Sequence, residues 1–140
     1  MTNLFIDIDG VLLGRCPNSQ QIALAQQAIE FLHVVLDRYD CYWLTTHCRG
    51  SAAPALEYLS RYGDTEFLDL ANQIKPTHFV TFKVEALFGD FFWVDDQPTA
   101  YEQRFLQDRG WFDRWLQVDT RKNPFALVDV IEFLKAPIFD

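Results

Sequence analysis

The sequence predicts an α/β protein, a three-layer α/β/α sandwich around a central, mostly parallel sheet of about five strands. A single domain is expected over residues 1–140. Three observations carry this expectation. Short apolar, β-prone runs alternate with longer segments of helical periodicity, the pattern of βαβ units whose sheet is covered on both faces. Three of the runs end in polar groups: Asp7 and Asp9, Thr45 and Thr46, Asp95 and Asp96. Open α/β sheets place their ligand sites outside the carboxyl ends of the strands. A chain of 140 residues, 49% of them hydrophobic, also suffices for one full core without disulfides or metals. The expected arrangement is Rossmann-like.

Leu4-Phe5-Ile6 reads as a buried strand that enters a turn at Asp7-Ile8-Asp9-Gly10. Leu12 to Asn18, with Gly14 and Pro17, reads as loop. Asn18 or Ser19 can cap a helix from about Gln20 to Asp37, because Ile22, Ala25, Ile29, Leu32, Val35 and Leu36 recur at three- and four-residue spacing. Cys41-Tyr42-Trp43-Leu44 is a second strand, ended by Thr45-Thr46. Ser51 can cap a helix through about Tyr62, and Gly63 can stop it. Thr65 to Gln73 reads as helical, and His78 to Phe82 as a short strand. Lys83 to Phe88 gives a helical turn or two, ended by Gly89. Phe91-Phe92-Trp93-Val94 is the clearest third strand. Pro98 suits the first turn of a helix to about Asp108. Trp115 to Val118 is a further strand, and Pro124 to Leu134 a last helix.

Charge and cysteine narrow the function classes. Twelve basic against twenty acidic side chains give a net charge of −8. Such a surface repels polyphosphate, so a broad nucleic-acid-binding face is not expected, although a small basic pocket is compatible with it. No apolar run approaches the length of a membrane span, and the N-terminus lacks the pattern of a secretory signal, so the expected compartment is the cytoplasm. Cys16, Cys41 and Cys48 are odd in number and read as reduced thiols. Cys48 beside His47 raises zinc, but no C-x-x-C and no second ligand pair accompany it.

The chemistry concentrates in two acidic motifs. Asp7 and Asp9 follow a buried strand at i and i+2, and Gly10 permits the turn that re-aims the second carboxylate. Two such groups repel unless a cation neutralises them or one takes a proton. An EF-hand loop does not fit, because Val11 and Leu12 stand where that loop needs Asp or Asn and then Gly. Asp95-Asp96 ends another strand. Alone it reads as a polar turn with a helix cap; with Asp7 and Asp9 it completes an oxygen-rich site suited to Mg²⁺.

In these residues the chain resembles the haloacid dehalogenase-like superfamily of phosphohydrolases, in its capless type, along essentially its whole length. Phe5-Ile6-Asp7-Ile8-Asp9-Gly10-Val11 is similar to the first motif, Trp43-Leu44-Thr45 to the second, Lys83 to the third and Trp93-Val94-Asp95-Asp96 to the acidic fourth. The resemblance implies a Mg²⁺-dependent phosphomonoester phosphatase that works through an aspartyl-phosphate on Asp7. Asp9 would be the general acid and then the base that activates water. Asp7, the Asp9 backbone carbonyl and Asp96 would ligate the metal, with Asp95 a second ligand or acting through water. Thr45 and Lys83 would hold the phosphoryl oxygens, assisted by the Thr46 backbone N–H and by Gly10. Thr46 competes with Thr45 and Lys75 with Lys83; position after the apolar strand favours Thr45, and position before the Phe91 strand favours Lys83. His47 and Arg49 either line the pocket or belong to a surface loop. The substrate would be a phosphorylated small molecule or phosphoprotein. A silent binding or regulatory module and a phosphotransferase are the alternatives.

Overall fold

The computed structural model describes residues 1–136. Four short strands form one parallel sheet: β1 (Asn3–Ile6), β4 (Asp40–Trp43), β5 (Phe91–Asp95) and β6 (Trp115–Gln117), in the order β4-β1-β5-β6. β1 is central, with Ile6 opposite Trp43 on one side and Val94 on the other. This register brings the carboxyl ends of β1 and β5 to the same edge, and Asp7 N–H donates to Val94 O at 3.1 Å.

Alternation along β1 divides the core. Leu4 and Ile6 pack with Phe31, Leu32 and Val35 of α1 (Ala28–Arg38), with Phe67 of α3 (Thr65–Ala71) and with Leu127 and Ile131 of α5 (Ala126–Lys135). Ala55 and Leu59 of α2 (Ala53–Leu59) join the same cluster. Phe5 faces the other way, with Phe91, Trp93, Val84 and Leu106 of α4 (Ala100–Asp108). Period-two side chains on a strand buried on both faces give this split directly.

Three expectations need correction. Among the described residues the sheet has four strands rather than about five, because His78–Phe82 is not one of them. The N–H groups of Val80, Thr81 and Phe82 all donate to the Glu85 carboxylate, at 3.0, 3.1 and 2.7 Å, so they have no need of a neighbouring strand. The helix expected from Gln20 begins only at Ala28. Before it, β2 (Leu13–Arg15) and β3 (Ile22–Leu24) form a separate antiparallel hairpin, covering residues read as loop and as helix. Gln20 and Gln27 adopt positive φ of 59° and 70°, which ends any helical path on either side of β3. Finally, Pro98 lies just before the helix that it was expected to open. Thr99 is the cap, with Thr99 and Glu102 bonding each other's backbone N–H reciprocally.

Among the described residues no helix is long and apolar enough to cross a membrane. Cys16, Cys41 and Cys48 are all free thiols. Burial pushes the Cys41 thiol up to about 12, so it is an inert part of the core.

Candidate metal and phosphate site

Asp7 leaves the end of β1 almost fully buried, and its Oδ1 accepts the Ile8 N–H at 2.8 Å. Asp95 ends β5, still more deeply buried, and its Oδ1 accepts the Gln97 N–H at 3.0 Å. Lys83 bridges them: its Nζ lies 3.1 Å from Asp7 Oδ2 and 2.7 Å from Asp95 Oδ2. Asp96 completes the group, and one oxygen from each of Asp7, Asp95 and Asp96 lies within 4.8 Å of the others.

Two anchors aim Lys83. It opens a 3-10 turn, Lys83–Ala86, whose Val84 N–H donates to the buried Glu102 carboxylate of α4 at 3.3 Å. Glu85 ties the preceding loop to the same turn. Lys75, the competing lysine, does something else. Its backbone bridges to the edge of β4, donating to Cys41 O and accepting from Trp43 N–H, and its ammonium lies 3.8 Å from Asp40.

Three carboxylates face two cations, Lys83 on Asp7 and Asp95 and Arg121 on Asp96, which leaves surplus negative charge at the buried pair. Burial raises Asp7 above the ordinary carboxylate range, against the opposing charge of Lys83. Burial, then the charge of Asp7, pushes Asp95 up to about 8. Burial acts to lower Lys83, but the charges of Asp7 and Asp95 outweigh it, and its ammonium is held above the usual lysine value. Lys83 therefore stays charged, while the two buried acids compete for its single charge. A cluster in that condition binds a proton or a further cation, and an all-oxygen donor set with few protein ligands fits Mg²⁺.

Asp9 points elsewhere. Its carboxylate is outside the acidic group, with Oδ1 accepting the Tyr58 hydroxyl at 2.6 Å and Oδ2 lying 3.0 Å from His47 Nε2. The rings of His47 and Tyr58 stack, with centroids 4.1 Å apart. Burial and the bond to Asp9 raise the Tyr58 hydroxyl above the usual tyrosine value, so it stays a donor. Gly10, at φ 81°, makes the turn. A Cβ there would meet Asp96 Oδ2 at 2.7 Å, so this position needs glycine both for conformation and for space.

Thr45 is buried at the end of β4, and its hydroxyl accepts the His47 N–H at 3.3 Å, whereas Thr46 is exposed. Arg49 is occupied in holding a loop, bonding Phe79 O and Val80 O and lying over the Phe79 ring. Cys48 is buried against Thr77 O and takes no part in a cluster of metal-ligating groups with His47 among the described residues. Two residues at the site carry no signal in the sequence. Tyr58 is 49 positions from Asp9. Arg121, in the loop after β6, pairs with Asp96 and lies 3.7 Å from Asp119.

No protein-family model, no curated protein and no solved structure matches this chain. The fold and the site define its class: an α/β protein with a parallel sheet, whose carboxyl edge carries a lysine-bridged cluster of acids able to hold a metal ion.

Proposed function

We propose that the protein is a Mg²⁺-dependent phosphomonoester phosphatase of the haloacid dehalogenase-like type, built on a Rossmann-like three-layer frame without a cap domain. One observation carries the reading: Asp7 and Asp95, on neighbouring parallel strands, flank Lys83, with Asp96 alongside. That arrangement supplies a buried carboxylate, a fixed cation and an oxygen-donor set at a single point, which is what in-line transfer of a phosphoryl group to a side chain requires.

Asp7 is the nucleophile. Lys83 helps to keep it ionised against its burial, and the N–H of Ile8 orients its other oxygen. As the Asp7 oxygen bonds to phosphorus, the bond to the leaving-group oxygen breaks, and that oxygen takes a proton from Asp9. Water then attacks the phosphorus of the aspartyl-phosphate, Asp9 takes its proton, and inorganic phosphate and free Asp7 result. Lys83 and Thr45 hold phosphoryl oxygens as charge spreads over them. His47 and Tyr58 hold the Asp9 carboxylate in place between these steps. Asp7, Asp95 and Asp96 would hold Mg²⁺, which when bound shields the phosphate from the carboxylates. Only the two seven-residue helices α2 and α3 and loops lie between Thr46 and Lys83, so the site opens outward.

The test is hydrolysis of 4-nitrophenyl phosphate with Mg²⁺ and after exhaustive chelation, for the native chain and for Asp7→Asn. The native chain should turn over only with metal, and the folded variant should lose at least ~10⁴-fold in kcat. Near-native turnover by folded Asp7→Asn would sink the reading.

A further inference from the structure

A cavity of about 530 Å³ opens beside Asp96, between the β2–β3 hairpin and the loop after β6. Every residue that lines it is polar or charged. Three of the chain's twelve basic side chains converge on it: Arg15 from the hairpin, and Arg121 and Lys122 from the loop. The side-chain amides of Gln20 and Gln97 add further donors.

The two acids in the wall, Asp96 and Asp119, are both engaged by Arg121. Arg15 and Lys122 have no carboxylate partner among the described residues. Arg15 is nonetheless placed, through its Nη1 on Gln20 O at 2.9 Å. Gln20 itself holds φ 59°, a conformation that a non-glycine residue adopts at a cost, and it is secured by its N–H on Cys16 O at 2.9 Å. The two walls are pinned to each other and to the site. Thr120 N–H donates to Gly10 O at 2.8 Å, and Thr120 O lies so close to Gly14 that a Cβ there would meet it at 2.7 Å. The cavity is therefore a cation-lined concavity, with Arg15 and Arg121 anchored, that shares Asp96 with the acidic cluster, in a chain whose overall charge is −8. Fixed cations in a concave wall focus attraction on anions locally, whatever the net charge.

We propose that this cavity binds a second anionic group of the substrate, a carboxylate or a phosphate, carried on the part of the molecule that leaves. The inference rests on the phosphatase reading and narrows its substrate class to small phosphomonoesters with a second negative charge. A volume of this size suits a small ligand or part of one, and no apolar residue lines the wall to favour an apolar leaving group.

Non-hydrolysable probes test this without turnover. Benzylphosphonate, 4-carboxybenzylphosphonate and 1,4-xylylenediphosphonate are titrated calorimetrically into the native chain with Mg²⁺, into Arg15→Gln/Lys122→Gln, and into Lys122→Gln alone. One charged hydrogen-bonded contact corresponds to about tenfold in affinity. The native chain should therefore prefer a charged probe over benzylphosphonate by about that factor, and the double variant should lose the preference. The probe that gains more identifies the group as carboxylate or phosphate. Lys122→Gln, which keeps the hairpin intact, should lose part of the preference. Equal affinity for all three probes, or a preference that survives the double variant, overturns the proposal while leaving the phosphatase reading standing if phenyl phosphate is turned over. Absence of both phosphonate binding and phenyl phosphate turnover overturns the phosphatase reading itself, and this proposal with it.

Discussion

Asp7 and Asp9 stand two residues apart and live under opposite conditions. The Asp7 side chain is 8% exposed and shares Lys83 with another buried acid; the Asp9 side chain is 41% exposed and is held by a tyrosine hydroxyl and an imidazole. The chain turns between them at Ile8, as it leaves β1. One flank of the site is thus a buried electrostatic cluster whose members set one another's charge. The other is a clamp on a half-exposed carboxylate. A nucleophile has to be ionised and fixed; an acid/base group has to reach solvent and keep its aim. Under the phosphatase reading those two tasks fall to different elements: the turn that carries Lys83 serves the first, and α2 with the loop after β4 serves the second.

The largest effect expected from breaking the buried flank comes from Lys83→Met. It removes the cation and leaves Asp7 and Asp95 facing each other in the core edge. Breaking a buried pair on one side costs about 3–5 kcal/mol, so denaturant unfolding at neutral pH should show a loss of that order. The loss should shrink toward acid pH, where the two carboxyls are protonated. In the native chain Lys83 is raised above its ordinary value of 10.5, so its own contribution is present below about that pH and fades above it. A variant as stable as the native chain at pH 7 would mean that Lys83 is a solvated charge.

Next in size is the pH dependence that the surplus charge creates. Asp95 moves from 3.8 in the unfolded chain to about 8 in the folded one. Between those values the folded protein holds a proton that the unfolded chain has released, so stability falls as pH rises through that window. Asp7 shifts in the same direction. Glu85 and Asp90, both lowered, contribute the opposite trend, stability that is present above about pH 4 and lost in acid. Metal-free Asp95→Asn isolates the buried flank. It removes one acid and relieves Asp7, so the decline between pH 4 and pH 8 should flatten relative to the native chain. Its absolute stability is not the readout, because an amide sets a donor against either Lys83 or the Gln97 N–H. An unchanged slope would show that the two acids do not compete.

The same contrast explains what the sequence made legible. The apolar runs of β1, β4, β5 and β6 are short and closed by polar residues, and β1 and β5 are buried almost throughout, so each could be recognised locally. So could the placement of Asp7, Asp95 and Asp96 at strand ends, whereas Lys83 is singled out from Lys75 only through the family resemblance. The hairpin was not legible. Ile22 and Ala25 continue the spacing of α1 backwards, and a three-residue strand is too brief for its own period to show; only the left-handed Gln20 and Gln27 break the helical path, and glutamine gives no warning of that. Tyr58 and Arg121 were hidden for a different reason. Each meets its carboxylate across 25 to 49 positions of chain, and such contacts depend on how α2 and the loop after β6 pack rather than on any local pattern.

The smallest expected effect probes the clamp. In Tyr58→Phe the ring that stacks on His47 at 4.1 Å is kept, and only the hydroxyl donated to Asp9 at 2.6 Å is removed. Asp9 is left with His47 alone and loses part of its aim. Under the phosphatase reading this matters most when the leaving group needs a proton. An alkyl phosphate expels a strongly basic oxygen, whereas 4-nitrophenyl phosphate expels one that departs as the anion. Loss of one hydrogen bond to a charged group corresponds to about tenfold, so kcat/KM for the alkyl phosphate, which reports the transfer to Asp7 and not the later attack of water, should fall by about that factor while kcat/KM for the nitrophenyl ester changes little. A general loosening of α2 would lower both rates together, and so would a displaced metal ion. The ratio of the two rates therefore separates a clamp on the acid from a merely structural tyrosine. An equal fall for both substrates would remove Tyr58 from the mechanism and leave Asp9 aimed by His47 and the Gly10 turn.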